Sequence, residues 1–429
     1  MIPNRKIYIV LKEIIIMVTK YDIFEVIYKY QHPIKPVEVL KILNKNEIEY
    51  DNILRLINEL LNENLVVKTP YGFQIKKAER TKILYDIIYN CLSNDLNYNA
   101  LIDPNLMEFV SLALRQKEII SKKANLNPKT LKKYVDILNE NSLILIISEK
   151  PLRVKVSYNI LLNNLLVYFG YKHEVIIEDN SDYFEEIIRE LALFRKLRKG
   201  KEQRYKQIIE ELEVYFIHHS LSLEGNPITL SQTRKILKDK IIPSNLRTND
   251  VDEIQNYQKA IFQMLQDSQN KRPLTIPTIL NYHALAMAHI PEIAGKIRKI
   301  EVYIKGNPHF KTTKAEKLEE ELNKLLKKYN DFINKKSSLK ELLAFAVYFH
   351  NEFQHIHPFT DGNSRTTRLI TFHLLQSKEI PITDIPFGLL DEYLNYTKGS
   401  KKREDVKLYR ALQKIILFNL KKINEKLKA

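Results

Sequence analysis

The sequence predicts a mainly α-helical protein, and three observations lead to that prediction. Apolar residues recur at helical spacing through most of the chain, and only 9 of its 429 residues are glycine. Hydrophobic residues make up 44% of the chain and aromatic residues 10%, which is enough to build proper cores. The length allows two or three domains. We expect helices throughout, with strands confined to short hairpins.

Composition also bounds the environment and the partners. The formal net charge of +16 favours polyanionic partners without specifying a function. The single cysteine, Cys91, excludes an internal disulfide and is typical of a reducing cytoplasm, so we expect a cytoplasmic protein. The apolar run at residues 7–18 is interrupted by Lys12 and Glu13 and is too short to span a bilayer. We interpret it as a buried helix or strand, with an interfacial anchor as the alternative, and we expect no membrane partner.

Two small modules are predicted ahead of a larger C-terminal domain. Residues 21–77 read as three helices followed by a strand, a tight turn and a strand, the order typical of a winged helix-turn-helix. Residues 106–158 repeat that order. The predicted limits are 1–80 and 81–160 for the two winged-helix-like modules, 161–204 for a helical linker and 205–429 for the main domain.

The second module is the better candidate for DNA contact. Its first helix is predicted at residues 106–115 and its second at 118–123, and Pro128 opens a third, recognition-like helix. Basic residues follow on that helix and on the hairpin behind it: Lys129, Lys132, Lys133, Arg153 and Lys155. Winged helices also dock on proteins, and helical spacing does not separate the two cases.

One short stretch between two apolar helical runs concentrates the chemistry. It reads His357-Pro358-Phe359-Thr360-Asp361-Gly362-Asn363-Ser364-Arg365-Thr366-Thr367-Arg368. Proline and glycine break the first helix, and Asn363 or Ser364 is predicted to cap the second. The free N–H groups at a helix start bind anions, and phosphate is the usual one. The stretch is therefore interpreted as a loop that leads into a phosphate-binding helix.

The side chains of this stretch suit a nucleotide. Arg365 and Arg368 are three residues apart, so on a helix they share a face and are able to grip the outer phosphates. Asp361 is placed to hold a divalent metal that bridges those phosphates, and hard oxygen ligands suit Mg²⁺. His357 is a base that works near neutral pH.

The stretch resembles the signature of the Fic (filamentation induced by cAMP) family, His-Pro-Phe-x-Asp/Glu-Gly-Asn-Gly-Arg-x-x-Arg. It matches at every defined position except Ser364, where the family has Gly and where a hydroxymethyl group either crowds the phosphate or adds a hydrogen bond. The resemblance implies an all-helical Fic core with a small β-hairpin flap. It also implies ATP-dependent, Mg²⁺-assisted transfer of AMP to a Ser, Thr or Tyr hydroxyl of a protein target or of the chain itself.

The same resemblance assigns roles to individual residues. His357 becomes the catalytic base, and Asp361 becomes the metal ligand. The residues that it assigns to ATP are Gly362, Asn363, Ser364, Arg365, Arg368 and, by a looser likeness to the aromatic region after the core, Tyr409. The alternating segment at residues 300–304 resembles the family's flap, which holds a target by strand addition through Val302, Tyr303, Ile304 and Gly306.

A motif upstream resembles the family's inhibitory sequence, Ser/Thr-x-x-x-Glu-Gly/Asn. It runs from Ser220 to Gly225 within a helix predicted at about 205–226. The resemblance pairs Glu224 with Arg368, and an arginine held by a carboxylate is unavailable to a γ-phosphate. It implies the class of Fic proteins whose inhibitory helix precedes the core in the same chain.

Other functions stay open at this point. A DNA-binding regulator whose Fic half senses nucleotide would use the winged modules and the basic charge, and an enzyme that removes AMP would use Glu224 to orient water. The phosphotransferase relative, which resembles the Doc toxins, is disfavoured by Asp361-Gly362-Asn363 and Arg368. A metal cluster could be drawn from His350, His355, His357 and Asp361, but the spacing is not a strong metal pattern. Homodimerisation is a further expectation that no residue pattern specifies.

Overall fold

Helices dominate the protein, as the sequence predicts, and its strands are short. The computed structural model describes residues 18–116, 118–121, 126–171, 181–304, 307–381 and 384–429. The apolar run at residues 7–18 lies, apart from Val18, outside these described residues. The chain divides into two compact units, Met1–Tyr89 and Asn90–Ala429.

The first unit contains three helices and a hairpin in the predicted order. The elements are α1 (Lys20–Tyr30), α2 (Pro36–Ile42), α3 (Tyr50–Asn62), β1 (Val66–Thr69) and β2 (Gly72–Ile75), and α4 (Glu79–Ser93) follows. Helix α3 buries Ile53, Leu56 and Ile57 on one face because they recur at helical spacing. Gly72 adopts a φ of +139°, and a Cβ there would lie 2.5 Å from the carbonyl oxygen of Ile34, so only glycine fits the turn. The winged-helix assignment itself stays a prediction.

The second unit begins with helices and a three-stranded antiparallel sheet. The elements are α5 (Tyr98–Leu101), α6 (Pro104–Leu114), β3 (Ile119–Ile120), α7 (Pro128–Glu140), β4 (Ile144–Glu149) and β5 (Leu152–Val156), with strand order β3-β5-β4. The helix predicted at residues 118–123 is wrong in its described part, because Ile119 pairs with Val154 and Ile120 with Arg153. The open edge of β5 recruits these two β-branched residues into the sheet, and this tertiary pairing overrides the local helical pattern.

This sheet packs against the rest of the second unit. The backbone N–H of Gly388 donates to the carbonyl oxygen of Ser142 at 3.2 Å, and the N–H of Ile160 donates to Asp391 Oδ2 at 2.7 Å. Arg153 on β5 is held by Glu118 at 2.9 Å. The hairpin predicted as a wing is therefore fastened to the body of the unit.

The remaining helices form the body of the second unit. They are α8 (Ile160–Tyr168), α9 (Phe184–Arg198), α10 (Glu202–Ser222), α11 (Leu230–Arg234), α12 (Thr248–Gln269), α13 (Ile276–Ala286), α14 (Leu318–Ile333), α15 (Leu339–Ile356), α16 (Asn363–Ser377), α17 (Leu390–Asn395) and α18 (Asp405–Lys428). Helix α16 is buried on every side from Asn363 to Leu375, and it packs against α12, α13 and α15. A helix buried all round lies at the centre of a core, so the residues of the signature stretch sit inside the protein.

The described helices include none that is both long and apolar enough to cross a membrane.

Gly388 offers a test of how the sheet is fastened. A Cβ at this position would collide with the carbonyl oxygen of Ser142 and lie 3.1 Å from Ser157 Cβ. We expect Gly388→Ala to lower the free energy of unfolding by about 1–3 kcal/mol, measured by urea denaturation. Asn395→Ala, an exposed change nearby, should stay within about 0.5 kcal/mol of wild type. Equal stability of the two variants would contradict the close packing of residues 142 and 388.

Candidate active site

The loop between α15 and α16 is fixed by its backbone. His357 ends α15 with a φ of +50°, in the left-handed region, and its N–H donates to the carbonyl oxygen of Phe353 at 3.0 Å. Arg298 then clamps the next turn, because its Nε donates to the carbonyl oxygen of His357 at 2.8 Å and its backbone N–H donates to that of Pro358 at 2.9 Å. The chain leaves the helix in one defined direction.

His357 is held as a neutral base. Its Nδ1 lies 3.1 Å from the carbonyl oxygen of Gln354, which only accepts, so Nδ1 carries the proton and Nε2 keeps its lone pair. Burial lowers the pKa of His357 to about 4, so the imidazole is uncharged at neutral pH. A positioned neutral imidazole is able to take a proton from a hydroxyl group.

Asn363 shapes the loop in this structure. Its Nδ2 donates to the carbonyl oxygen of Phe359 at 2.7 Å, and the Phe359 N–H donates to its Oδ1 at 2.9 Å. Both ends of the amide are therefore used by the backbone. The predicted side-chain cap by Asn363 or Ser364 is wrong, because Gly362 occupies the cap position and no side chain caps α16. Ser364 lies in the first turn with 8% of its surface exposed.

Gly362 is required by its backbone and by its neighbours. Its φ is +79°, and a Cβ would lie 2.8 Å from Met287 Sδ and 3.0 Å from His283 Nε2. Glycine is the residue that tolerates both conditions. Because glycine has no side chain, nothing at this position covers the N–H groups at the start of α16. An anion site needs such uncovered N–H groups.

His283 supports the loop, and sequence reasoning missed it. Its Nδ1 accepts from the N–H of Gly295 at 2.9 Å, so Nε2 carries the proton and donates to the carbonyl oxygen of Asp361 at 2.9 Å. Its ring stacks on Phe359 with centroids 3.7 Å apart. A histidine far from the signature in sequence gives no local signal of such a role.

Arg365 is occupied by two carboxylates. It pairs with Glu253 through Nη1 and with Asp361 Oδ2 through Nη2 at 3.0 Å, and its side chain is 4% exposed. Its position in the sequence predicts that it binds the outer phosphates together with Arg368. In the structure its guanidinium instead joins the loop to α12.

Arg368 is bound by the segment that resembles the inhibitory motif. Its Nη2 donates to Glu224 Oε1 and to the carbonyl oxygen of Ser220, each at 2.9 Å, and its Nε donates to Ser220 Oγ at 2.5 Å. Ser220 Oγ in turn donates to Tyr257 OH at 2.9 Å. The contact expected between Glu224 and Arg368 is therefore present, while its inhibitory role stays a proposal.

Glu224 lies just beyond the helix that carries Ser220. Helix α10 ends at Ser222, so the predicted helix end at 226 is too late, and Glu224 sits in the turn before Gly225. The second oxygen of its carboxylate, Oε2, accepts from Lys398 Nζ at 2.9 Å, a partner that the sequence analysis did not identify.

Electrostatics hold this carboxylate ionised. Burial raises the pKa of Glu224, but the charges of Arg368 and Lys398 outweigh it and bring the pKa down to about 2. Burial likewise disfavours the charged form of Arg368, yet Glu224 shifts its pKa above the ordinary value. The two side chains keep each other charged inside the core.

The segment predicted as a flap strand has no regular secondary structure at residues 301–304. Residues 301–304 carry no regular strand pairing, and Thr312 Oγ1 donates to the carbonyl oxygen of Val302 at 2.9 Å. Tyr303 is 84% exposed, while Val302 and Ile304 are half-buried. Gly306 lies outside the described residues.

Tyr409 is not brought to this site. It lies near Gln413 and Asp182, and burial raises its pKa. The residues of α18 that line the small space beside Arg368 are Leu408, Leu412 and Ile415. Tyr409 follows Leu408 by one position and therefore faces a different direction on the helix.

The alternative metal cluster is not found. The described residues hold no group of three or more His, Cys, Asp or Glu side chains that could bind a metal ion. His350 Nε2 lies 2.8 Å from Tyr393 OH, and His355 Nδ1 lies 3.0 Å from the carbonyl oxygen of Lys311, so both histidines have other partners.

A magnesium ion that arrives with nucleotide needs less protein. Asp361 is the one carboxylate of the signature stretch, and its side chain is 58% exposed. Its Oδ1 accepts the N–H of Gly362 at 2.6 Å, and its Oδ2 faces Arg365. Mg²⁺ commonly uses one or two carboxylates together with substrate phosphates and water, so this donor set fits a phosphate-borne ion.

Comparisons with known proteins find relatives of part of the chain. Residues 273–375 match the Fic/DOC family model and form a Fic domain. The proteins named protein adenylyltransferase Fic from Drosophila willistoni and Drosophila melanogaster are each 30% identical over 204 residues, covering 47% of this chain and 38% of the relative. The chain thus spans well under half of these relatives' length. A Fic domain containing signaling protein from Bacteroides thetaiotaomicron has a TM-score of 0.50 at 21% identity, over 56% of this chain and 96% of that chain, which shows a shared fold.

The contact between Glu224 and Arg368 has a predictable pH dependence. The pKa of Glu224 is lower when folded, about 2 against 4.5, so its contribution to stability is complete above about pH 5 and is lost as the pH falls towards 2. We expect the difference in Tm between wild type and Glu224→Gln to be constant from about pH 6 to 8 and to shrink between about pH 5 and 3. Glu292→Gln, at an exposed turn, is the control. A difference that grows on acidification would contradict the assignment.

Proposed function

We propose that the Fic domain at residues 273–375 transfers AMP from ATP to a Ser, Thr or Tyr hydroxyl of a protein target. The observation that supports this most is the neutral His357. Its Nδ1 makes the hydrogen bond that fixes the ring, so the lone pair of Nε2 is left to accept a proton. The base stands at a loop that leads directly into the start of α16, where free N–H groups suit phosphate.

The residues divide the reaction between them. His357 Nε2 takes the proton of the acceptor hydroxyl as that oxygen forms a bond to the α-phosphorus. The bond from the α-phosphorus to the bridging oxygen breaks, and pyrophosphate leaves. The N–H groups of Asn363, Ser364 and Arg365, which precede the first intrahelical bond at Thr366, stabilise charge on the transferring group. Mg²⁺ held by Asp361 would neutralise phosphate charge when bound.

Glu224 restrains this reaction at rest. Arg368 is 2% exposed, and its Nε and Nη2 are held by Ser220 and Glu224, so it is unavailable to the γ-phosphate. Phosphate binding requires that the carboxylate leave. Removal of AMP with Glu224 orienting a water is the less favoured use, because both oxygens of the carboxylate already accept from cations.

The acceptor is presented by the exposed segment before the signature. Residues 301–304 have no regular secondary structure, and strand addition would fix a target through its main chain with little demand on its sequence. The arrangement suits a protein substrate whose hydroxyl lies in an extended segment. The chain itself qualifies as a target through its own exposed hydroxyls, such as Tyr303.

The central test uses ATP labelled at the α-phosphate. Glu224→Gly frees Arg368 from its ion pair, and this buried pair strongly opposes the binding of phosphate to Arg368. We therefore expect the variant to raise self-labelling about tenfold or more. Adding His357→Ala to that variant should abolish the label, since general base catalysis contributes ~10²–10⁴-fold.

Two controls separate the site from general damage. Glu292→Gly removes a carboxylate from an exposed turn and should leave labelling at the wild-type level, and His32→Ala removes an exposed histidine and should do the same. Absence of label on the Glu224→Gly protein, with candidate targets supplied, would overturn the proposed transfer.

DNA contact is a second candidate, favoured by a basic face of α7. Three of its lysines are exposed: Lys129, Lys132 and Lys133. Arg153 on the hairpin does not add to this face, because it pairs with Glu118 at 2.9 Å and with Glu186 at 3.6 Å. We infer a contact limited to phosphates, which carries little sequence information.

A mobility-shift series against salt tests this contact. Duplex DNA should bind weakly at low salt and be released as the salt concentration rises. The logarithm of the binding constant should fall with the logarithm of the salt concentration, with a slope of about 0.9 per phosphate contact. Replacing the three α7 lysines with Gln should remove the binding. Replacing the exposed lysines at 335, 336 and 340 is the matched control. Binding that survives the α7 substitutions would eliminate this face as the contact.

A further inference from the structure

Lys398 lies at the same carboxylate as Arg368. It belongs to the turn between α17 and α18, outside the residues that match the Fic/DOC model. Its Nζ donates to Glu224 Oε2 at 2.9 Å and lies 3.4 Å from the carbonyl oxygen of Leu223. Its side chain is 24% exposed, so one side of it reaches solvent.

The carboxylate of Glu224 bridges two cations. Oε1 accepts from Arg368 and Oε2 from Lys398, each at 2.9 Å. A phosphate group offers the same arrangement, with two oxygens of one anion facing two cationic donors. The Glu224 carboxylate thus occupies a site built for an anion with more than one oxygen.

Withdrawal of Glu224 leaves both cations without this partner. Arg368 is 2% exposed, and an uncompensated charge so deeply buried is strongly unfavourable. Arg365 is not available to share a phosphate, since Glu253 and Asp361 already hold its guanidinium. The second cation of the anion site must therefore come from outside the signature stretch.

We propose that Lys398 is a phosphate-binding residue, and that with Glu224 withdrawn it and Arg368 together bind the terminal phosphate of ATP. The inference rests on the proposed function, because it assigns the second cation of that nucleotide site. In the resting state the same lysine stabilises the inhibitory position of Glu224. One side chain thus serves the two occupants of one site.

The loop that carries Lys398 is held independently of Glu224. Asn307 Nδ2 donates to the carbonyl oxygens of Lys398 at 2.9 Å and Ser400 at 2.6 Å, and the side chain of Asn307 is buried. The N–H of Gly399 donates to the carbonyl oxygen of Leu394 at 2.9 Å. The backbone of Lys398 therefore stays in place when the carboxylate leaves. A lysine whose backbone is already fixed loses less conformational entropy when it binds phosphate.

Nucleotide affinities in the Glu224→Gly background test the proposal. Isothermal titration with ATP and with AMP, both in Mg²⁺, compares Glu224→Gly alone with Glu224→Gly/Lys398→Met. We expect Lys398→Met to lower the affinity for ATP about tenfold or more, because a charge-assisted contact to the terminal phosphate is lost. The affinity for AMP should be unchanged, because AMP lacks that phosphate. Lys398→Arg should restore most of the ATP affinity. Lys401→Met, an exposed lysine of the same loop, should leave both affinities unchanged.

The outcomes separate this role from others. Unchanged ATP affinity in the Lys398→Met protein would overturn the proposal and leave Lys398 as a partner of Glu224 only. Equal losses for ATP and AMP, with a lowered Tm, would overturn it in favour of a structural role. If Glu224→Gly binds no ATP, both the proposal and the proposed function fall. If the Lys398→Met change lowers only the ATP affinity but the protein transfers no AMP, the phosphate-binding role of Lys398 would be supported. The proposed transfer of AMP would then be overturned.

Discussion

A buried positive charge is the constraint on which this site depends. Arg368 lies on α16, inside the core, and a guanidinium at that depth needs an anion beside it. Removing one partner of a buried ion pair typically costs about 3–5 kcal/mol. The carboxylate of Glu224 provides that anion here, and under the proposed function a phosphate group of ATP would take its place. The proposed inhibition and the proposed nucleotide binding would then be two ways to neutralise the same buried charge.

The surrounding helices hold the residues around Arg368 in fixed positions. Helix α10 is held to the core beside the site, where Ser220 contacts both Tyr257 and Arg368, and where His219 Nδ1 lies 2.9 Å from Asp384. These contacts are buried, so the helix behaves as part of the domain and not as a loose lid. Under the proposed function, the part that moves is the short turn that follows the helix.

Sequence reasoning located the chemistry but not the partners of each group. His357, Arg368 and Glu224 stand out because their motifs specify them, and most helices follow from apolar spacing. The ion pair of Arg365 with Glu253 was not predicted, because Glu253 comes from α12, 112 residues away. Lys398 and the strand at Ile119–Ile120 were missed for the same physical reason, since long-range contacts leave no local pattern. Local signals predict elements, while the choice among partners is made by packing.

The turn that bears Glu224 explains how the anion is able to change without loss of the fold. Glu224 follows the last helical residue of α10, and Gly225 beside it has a φ of +94° with open space around its Cβ position. The carboxylate is thus able to swing away while the helix stays intact. Ser220 remains within the helix, and its hydroxyl and carbonyl oxygens still hold Arg368. The guanidinium therefore keeps its position while one anion replaces the other, which is the condition for a phosphate to arrive in register with His357.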